Sequence, residues 1–86
     1  MPSGPHAHEP QKGLASAVRI LRERAGLSPS EVAERAGIST SGLNRIEGGD
    51  HDPSWGDMRR VAQGLGVSLE VLAEVAEENE QEGGSV

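Results

Sequence analysis

The stretch Ser28 to Gly49 reads SPSEVAERAGISTSGLNRIEGG, and its punctuation decides the fold. Ser28 is a helix cap, Pro29 suits the first helical position, where a missing N–H costs nothing, and Glu31 completes a capping box three residues after the serine. The helix opened there closes at Gly37; the next opens after Ser39 and closes at Gly48-Gly49. Only Gly37-Ile38-Ser39 joins the two, a link too short to lay them side by side, so they must cross steeply. A steep crossing needs a small side chain at the contact, supplied by Ala33, and a residue at ease at positive φ in the turn, supplied by Gly37. It also needs buried aliphatics to hold the angle, for which Val32, Ile38, Leu43 and Ile46 are correctly spaced. Together these residues predict a helix-turn-helix.

The same alternation of serine caps and glycine stops extends outward. Upstream, a helix is predicted from about Leu14 to Ala25, with Leu14, Ala17, Val18 and Leu21 on one face and Gly26 as its stop. Downstream, a fourth follows Pro53-Ser54, with Asp57 three residues past its cap, and a fifth follows Ser68. No segment alternates with period two over a useful length, so the expected class is all-α: five short helices, with helices two and three forming the helix-turn-helix. Residues 1–12 carry three prolines and no apolar periodicity and are expected to be a disordered arm. Residues 77–86, EENEQEGGSV, are expected to be an acidic disordered tail that begins as a fraying helix end. The domain itself is then residues 13–76.

Composition bounds what such a domain can do. Eighty-six residues make at most one small domain. Of the 17 Leu, Ile and Val residues, 16 lie between Leu14 and Val75, so the core is confined to that stretch. The formal net charge of −6 is carried by Glu9 and by Glu74, Glu77, Glu78, Glu80 and Glu82, while Lys12 to Ala73 is neutral, with eight residues of each sign. An acidic total therefore does not exclude an anionic partner for the core. No apolar run approaches the ~20 residues that span a bilayer, so no membrane role and a cytoplasmic location are expected. Cysteine, Phe and Tyr are absent, and Trp55 is the only aromatic; disulfides, thiolate chemistry and base-stacking RNA modules are excluded. His6 and His8 are two imidazoles without a third ligand, and Asp50, His51 and Asp52 read as a solvated turn, so neither a metal nor a cofactor is expected. Nothing assembles a nucleophile with a base, and the chain is not expected to be an enzyme.

Four stretches carry a resemblance: Leu21-Arg22-Glu23-Arg24-Ala25-Gly26-Leu27-Ser28, Val32-Ala33-Glu34-Arg35-Ala36-Gly37-Ile38-Ser39, Arg45-Ile46-Glu47-Gly48-Gly49 with Pro53-Ser54, and Val61-Ala62 through Leu65-Gly66-Val67-Ser68-Leu69. Across about Leu14 to Leu72 the chain resembles the lambda-repressor-like, or XRE-type, helix-turn-helix domains. The resemblance implies a compact five-helix domain of a transcription regulator that binds double-stranded operator DNA, commonly as a homodimer. The resemblance further implies that the third helix reads the major groove. Antitoxin subunits use the same fold, so the alternative is a partner-binding or adapter domain with weak DNA contact, its protein partner met through helix five or the acidic tail.

With Leu43 and Ile46 facing inward, Thr40, Ser41, Asn44 and Arg45 turn outward. By resemblance Thr40, Ser41 and Arg45 occupy base-reading positions. Arg45 is the strongest candidate, because a guanidinium can bond guanine O6 and N7 together; the plainer alternative makes Thr40 and Ser41 first-turn polar residues and Arg45 a solvated charge. Phosphate would be met at the N-terminus of helix four by the Ser54 side chain and the Trp55 and Gly56 amides, assisted by Arg59 or Arg60. Arg22 and Glu47 match a pair that in relatives links helix one to the end of helix three, and Arg22 could also be aimed at a phosphate. Pro29 stands where relatives commonly have a phosphate-binding glutamine, and Asp50, His51 and Asp52 stand where they often have Lys or Arg, so affinity should be modest. Trp55 replaces a usual leucine and is expected in the core or at its rim. Gly64 replaces a usual alanine at a cost of ~1 kcal/mol, and the sequence offers no account of it. Finally, Leu69, Leu72, Val75 and Ala76 continue an apolar stripe that, with Val71, would serve dimerisation; the alternative is that Leu69 and Leu72 close the domain's own core and Val75 frays into solvent.

Overall fold

A computed structural model describes residues 12–49 and 53–84. They form five helices and, among the described residues, no strand: α1 (Lys12–Ala25), α2 (Pro29–Ala36), α3 (Thr40–Gly48), α4 (Trp55–Leu65) and α5 (Leu69–Gly84). None of the described helices is long and apolar enough to cross a membrane.

The caps lie where the serines place them. The Ser28, Ser39, Ser54 and Ser68 hydroxyls accept from the amides of Glu31, Gly42, Asp57 and Val71 at 2.9–3.1 Å. At Ser28 the box is complete, because its own amide donates to the Glu31 carboxylate at 2.8 Å. The link between α2 and α3 turns on Gly37, whose φ of 73° is left-handed and would strain any residue with a side chain.

Leu43, Leu72, Val18, Val32 and Val61 are fully buried and form the centre of one apolar core. The most extensive packing sets α5 against α1, followed by α4 against α2. Ala33 is buried, as a close crossing of α2 demands, while Ile38 is only half-buried and packs on the margin of the core.

Two expectations are corrected here. The helix predicted to fray after residue 76 continues to Gly84. Glu and Gln are good helix formers, no breaker occurs before Gly83-Gly84, and the Asn79 amide closes back on the Val75 carbonyl at 2.8 Å, so residues 77–84 are helical rather than a tail. The arm, in turn, loses Lys12 to α1; residues 1–11, with His6 and His8, lie outside the described residues. The second correction concerns the stripe on α5. Leu72 is fully buried and Leu69, Val75 and Ala76 pack against the core, leaving only Val71 as an exposed large apolar residue of that helix. Leu72 closes the domain's own core with Leu69 packed beside it, and Val75 is held against that core rather than frayed into solvent.

Gly64 acquires an account. A Cβ built there would lie 2.9 Å from the Val32 carbonyl oxygen and 3.0 Å from both the nitrogen and the Cβ of Ala36. The glycine lets α4 rest directly on the backbone of α2. Gly64→Ala is therefore expected to lower stability by about 1 kcal/mol, because overpacking at a backbone contact costs ~1–3 kcal/mol and outweighs the ~1 kcal/mol gained in helix propensity. Gly48→Ala, whose Cβ would meet nothing within 4 Å, is the control and should not destabilise. Urea midpoints of the two variants test this, and an unchanged or raised midpoint for Gly64→Ala would contradict it.

Candidate nucleic-acid interface

Both ends of α3 are anchored. At its start the Ser39 cap takes the Gly42 amide at 2.9 Å. At its end the Arg22 guanidinium grips Glu47 with two bonds, Nε donating to Oε2 at 2.7 Å and Nη2 to Oε1 at 3.2 Å. Arg22 Nη1 also donates to the Leu27 carbonyl at 3.1 Å. One side chain thus fastens α1 to the link that precedes α2 and to the end of α3. Its hydrogen bond to Glu47 pushes the guanidinium pKa up against the opposing effect of burial. With side-chain exposures of only 14% and 12%, the pair is shielded from the screening that weakens surface ion pairs.

Between these anchors Leu43 and Ile46 point into the core. The helical repeat therefore turns Thr40, Ser41, Asn44 and Arg45 outward, and all four are exposed. They give one face of α3 two hydroxyls, an amide and a guanidinium, with no carboxylate among them.

The first turn of α4 is a second concentration of donors. Ser54 takes the Asp57 amide with its side chain and the Met58 amide with its carbonyl. The Trp55 and Gly56 amides precede the first bond of the helix and lie on exposed residues, so they can meet an anion. Arg60 leans toward Asp57 at 3.9 Å, whereas Arg59 stands beside Trp55 in an open groove.

Other groups are not arranged as the sequence suggests. The Trp55 side chain is 65% exposed, so its expected place in the core or at the rim is corrected: the leucine-like position at the start of α4 points the larger indole past the core edge into solvent. Arg22 is turned into the structure and has committed three of its five N–H groups there. The Glu31 carboxylate, recognised from sequence as part of the capping box, is also a fixed anion at the start of α2. Its bonds to Ser28 hold its pKa below the usual carboxylate range. The start of α2 is thus unfit for phosphate on two counts, a proline without an N–H and a carboxylate in place. Asp50, His51 and Asp52 lie outside the described residues.

A family model described as a helix-turn-helix domain matches residues 14–75. The chain belongs to the helix-turn-helix family. An HTH-type transcriptional regulator of Mycobacterium tuberculosis is 40% identical over 57 residues, a match covering 66% of this chain and 41% of that relative. The chain therefore spans less than half the length of that relative. Among solved structures it is similar to the clp gene regulator ClgR of Corynebacterium glutamicum, with a TM-score of 0.74 and 26% identity over 79% of this chain and 88% of the other. The restriction-modification controller protein C.Esp1396I shares the fold at a TM-score of 0.77 and 15% identity, over 84% of this chain and 94% of its own. In this helix-turn-helix chain the fork of Arg22 is what ties the second helix of the motif to the body.

Removal of either charge, as Arg22→Met or Glu47→Gln, is expected to cost about 2 kcal/mol, the range of a shielded charge-assisted pair. The double variant should lose less than the sum by about 1 kcal/mol, read from chemical denaturation of all four proteins. Strict additivity would mean that the two side chains do not stabilise one another.

Proposed function

We propose that this chain is a DNA-binding transcription regulator that lays α3 in the major groove of a specific site and acts as a homodimer on a palindrome. What carries this is the exposed face of α3: Thr40, Ser41, Asn44 and Arg45 project from a helix anchored at both ends, and no carboxylate interrupts them. Arg45 reads a guanine through O6 and N7, while Thr40, Ser41 and Asn44 add contacts of lower selectivity. Phosphates are met by the Ser54 hydroxyl and the Trp55 and Gly56 amides, with Arg59 or Arg60 adding charge. Arg22 adds at most its remaining N–H groups. The similarity to an HTH-type transcriptional regulator and to a clp gene regulator supports the same function. The chain is then a binding protein rather than an enzyme, with Ser28, Ser39, Ser54 and Ser68 occupied as caps, and it works where DNA is, in the cytoplasm.

Binding to labelled duplex over a salt series is the direct test, because counterion release makes any such association fall steeply with salt. No binding at about 50 mM salt would discard the DNA reading and leave a partner-binding adapter in its place. On a site selected from a random pool, Arg45→Ala should cost ~1–3 kcal/mol and relax selectivity at one base pair; equal losses on selected and random duplex would reduce Arg45 to a phosphate contact. Glu31→Gln keeps a side-chain acceptor for the capping box while removing the anion at the start of α2. It is expected to raise duplex affinity roughly twofold to fivefold at low salt, a gain that fades above about 0.3 M as screening shortens the reach of the charge. A gain that persisted at high salt would have another origin.

A further inference from the structure

Trp55 and Val71 are the only exposed large apolar side chains among the described residues, and Trp55 is much the more exposed. Leaving an indole in water forgoes the burial of an area on the order of 200 Å². Beside it runs an open groove of about 550 Å³, lined by Trp55, Arg59, Ala62, Gln63, Val67 and Leu69, of which Arg59 alone is ionised. Trp55, Arg59 and Gln63 follow one another at successive turns along one edge of α4. The groove lies near the point where the described chain begins. Leu14, close behind Lys12, shares one small apolar pocket with Pro53 and Met58, so α1 starts beside the start of α4, where Trp55 stands. Six lining residues are far fewer than the ~20 on each side of a stable complex between separate molecules. A segment tethered nearby needs no such area, because its effective concentration is on the order of millimolar.

We infer that this groove is the seat of the chain's own residues 1–11, MPSGPHAHEPQ, laid along α4 as an extended segment. Their composition gives them no core of their own, which does not prevent docking in extended form. Three properties fit them to the groove. The first is reach: eleven residues of polyproline geometry cover ~34 Å, about twice the ~16 Å length of α4 with its 11 residues. The second is conformation. Pro2-Ser3-Gly4-Pro5 spaces two prolines by one turn of a polyproline helix, so both rings share a face, and such segments dock on exposed aromatic rings. Their carbonyls have no internal partners and are open to the Trp55 indole N–H and the Gln63 amide. The third is charge: Glu9 is the only Asp or Glu among residues 1–11, and these residues contain no Lys or Arg. Running outward from Lys12, the segment brings Pro10 onto Trp55 and the adjoining Glu9 to Arg59, one turn further along α4, with Pro5 carried on toward Ala62 and Val67. The inference does not depend on DNA. A segment seated here holds Arg59, one of the cations that the DNA reading gives to phosphate, so the two contacts compete.

Because Trp55 is the only aromatic residue, its emission reports this surface alone. Acrylamide quenching of the full chain without DNA should be the same at every protein concentration. It should rise roughly twofold when Pro5 and Pro10 are both replaced, as Pro5→Ser with Pro10→Ser. Glu9→Arg and Arg59→Glu should each raise it as well, and the two together should bring it back toward the unaltered chain, because the pair is then restored with its signs exchanged. Pro5, Glu9 and Pro10 precede α1, so their replacement leaves the five helices intact, as circular dichroism would verify. Proton NMR of the unaltered chain should show the Trp55 indole close to proline ring protons, a contact absent from the Pro5→Ser, Pro10→Ser variant. Two results would overturn the inference: quenching that none of the changes before α1 alters, or protection of Trp55 that grows with protein concentration together with the sedimenting mass. The second would give the groove to another copy of the chain. Since no DNA is present, neither outcome is confused with a failure to bind DNA.

Discussion

The fork of Arg22 is the constraint from which the site follows. A helix of nine residues is too short to persist on propensity, and α3 has only two core side chains, Leu43 and Ile46, to hold its orientation. Two apolar contacts on one side of a helix still leave it free to roll and tilt. The Ser39 cap defines where the helix begins, and the planar two-point grip of Arg22 on Glu47 defines where its other end sits. The third bond, to the Leu27 carbonyl, refers the same grip to the turn before α2. Both helices of the motif are thus located against α1 by one side chain, and α1 is located by α5, with which it makes the most extensive packing in the fold.

Beneath α2 the constraint is steric. The absence of a side chain at Gly64 allows α4 to approach Val32 and Ala36 to van der Waals distance of their backbone atoms. A core built from so few large aliphatic residues and no aromatic has little volume with which to fill a wider gap. Close backbone approach is then the available route to a dense interior, and the weaker helix propensity of glycine offsets only part of the packing gained.

Most of the local structure was legible in the residues. Each cap and stop is a short-range device: Ser28, Ser39, Ser54 and Ser68 act on amides three residues away, and Gly37 answers a backbone requirement of a single position. The Arg22 and Glu47 pair lies 25 residues apart in sequence and could be expected only through resemblance, since no periodicity links two charges on different helices. What remained hidden depended on tertiary distance. Nothing local distinguishes Gly64, which is pressed on α2, from Gly48, which faces open space. Trp55 was expected in the core or at its rim only through resemblance, because it stands where relatives have a leucine, and nothing local shows that the larger indole stays in solvent. The end of α5 reads as a tail from its run of acidic residues and its Gly-Gly-Ser ending, whereas Glu and Gln are good helix formers and carry the helix to Gly84.

The distribution of charge bears on how such a domain gains selectivity. The α3 face carries Arg45 as its only ion, the start of α2 holds the Glu31 carboxylate, and the surplus of acid is placed on α5. In the proposed complex few cations would face a phosphate backbone, so the sequence-independent part of the binding energy would be small, and with it the number of counterions released. Contacts to base edges contribute only on the right sequence. Reducing the uniform part lowers affinity for every site but leaves the difference between sites intact, and that difference decides occupancy among many competing sequences. On the proposed reading, a domain so built would bind weakly as a single copy. In the proposed homodimer a second copy on the same duplex would restore affinity, because the second contact is then made within one complex.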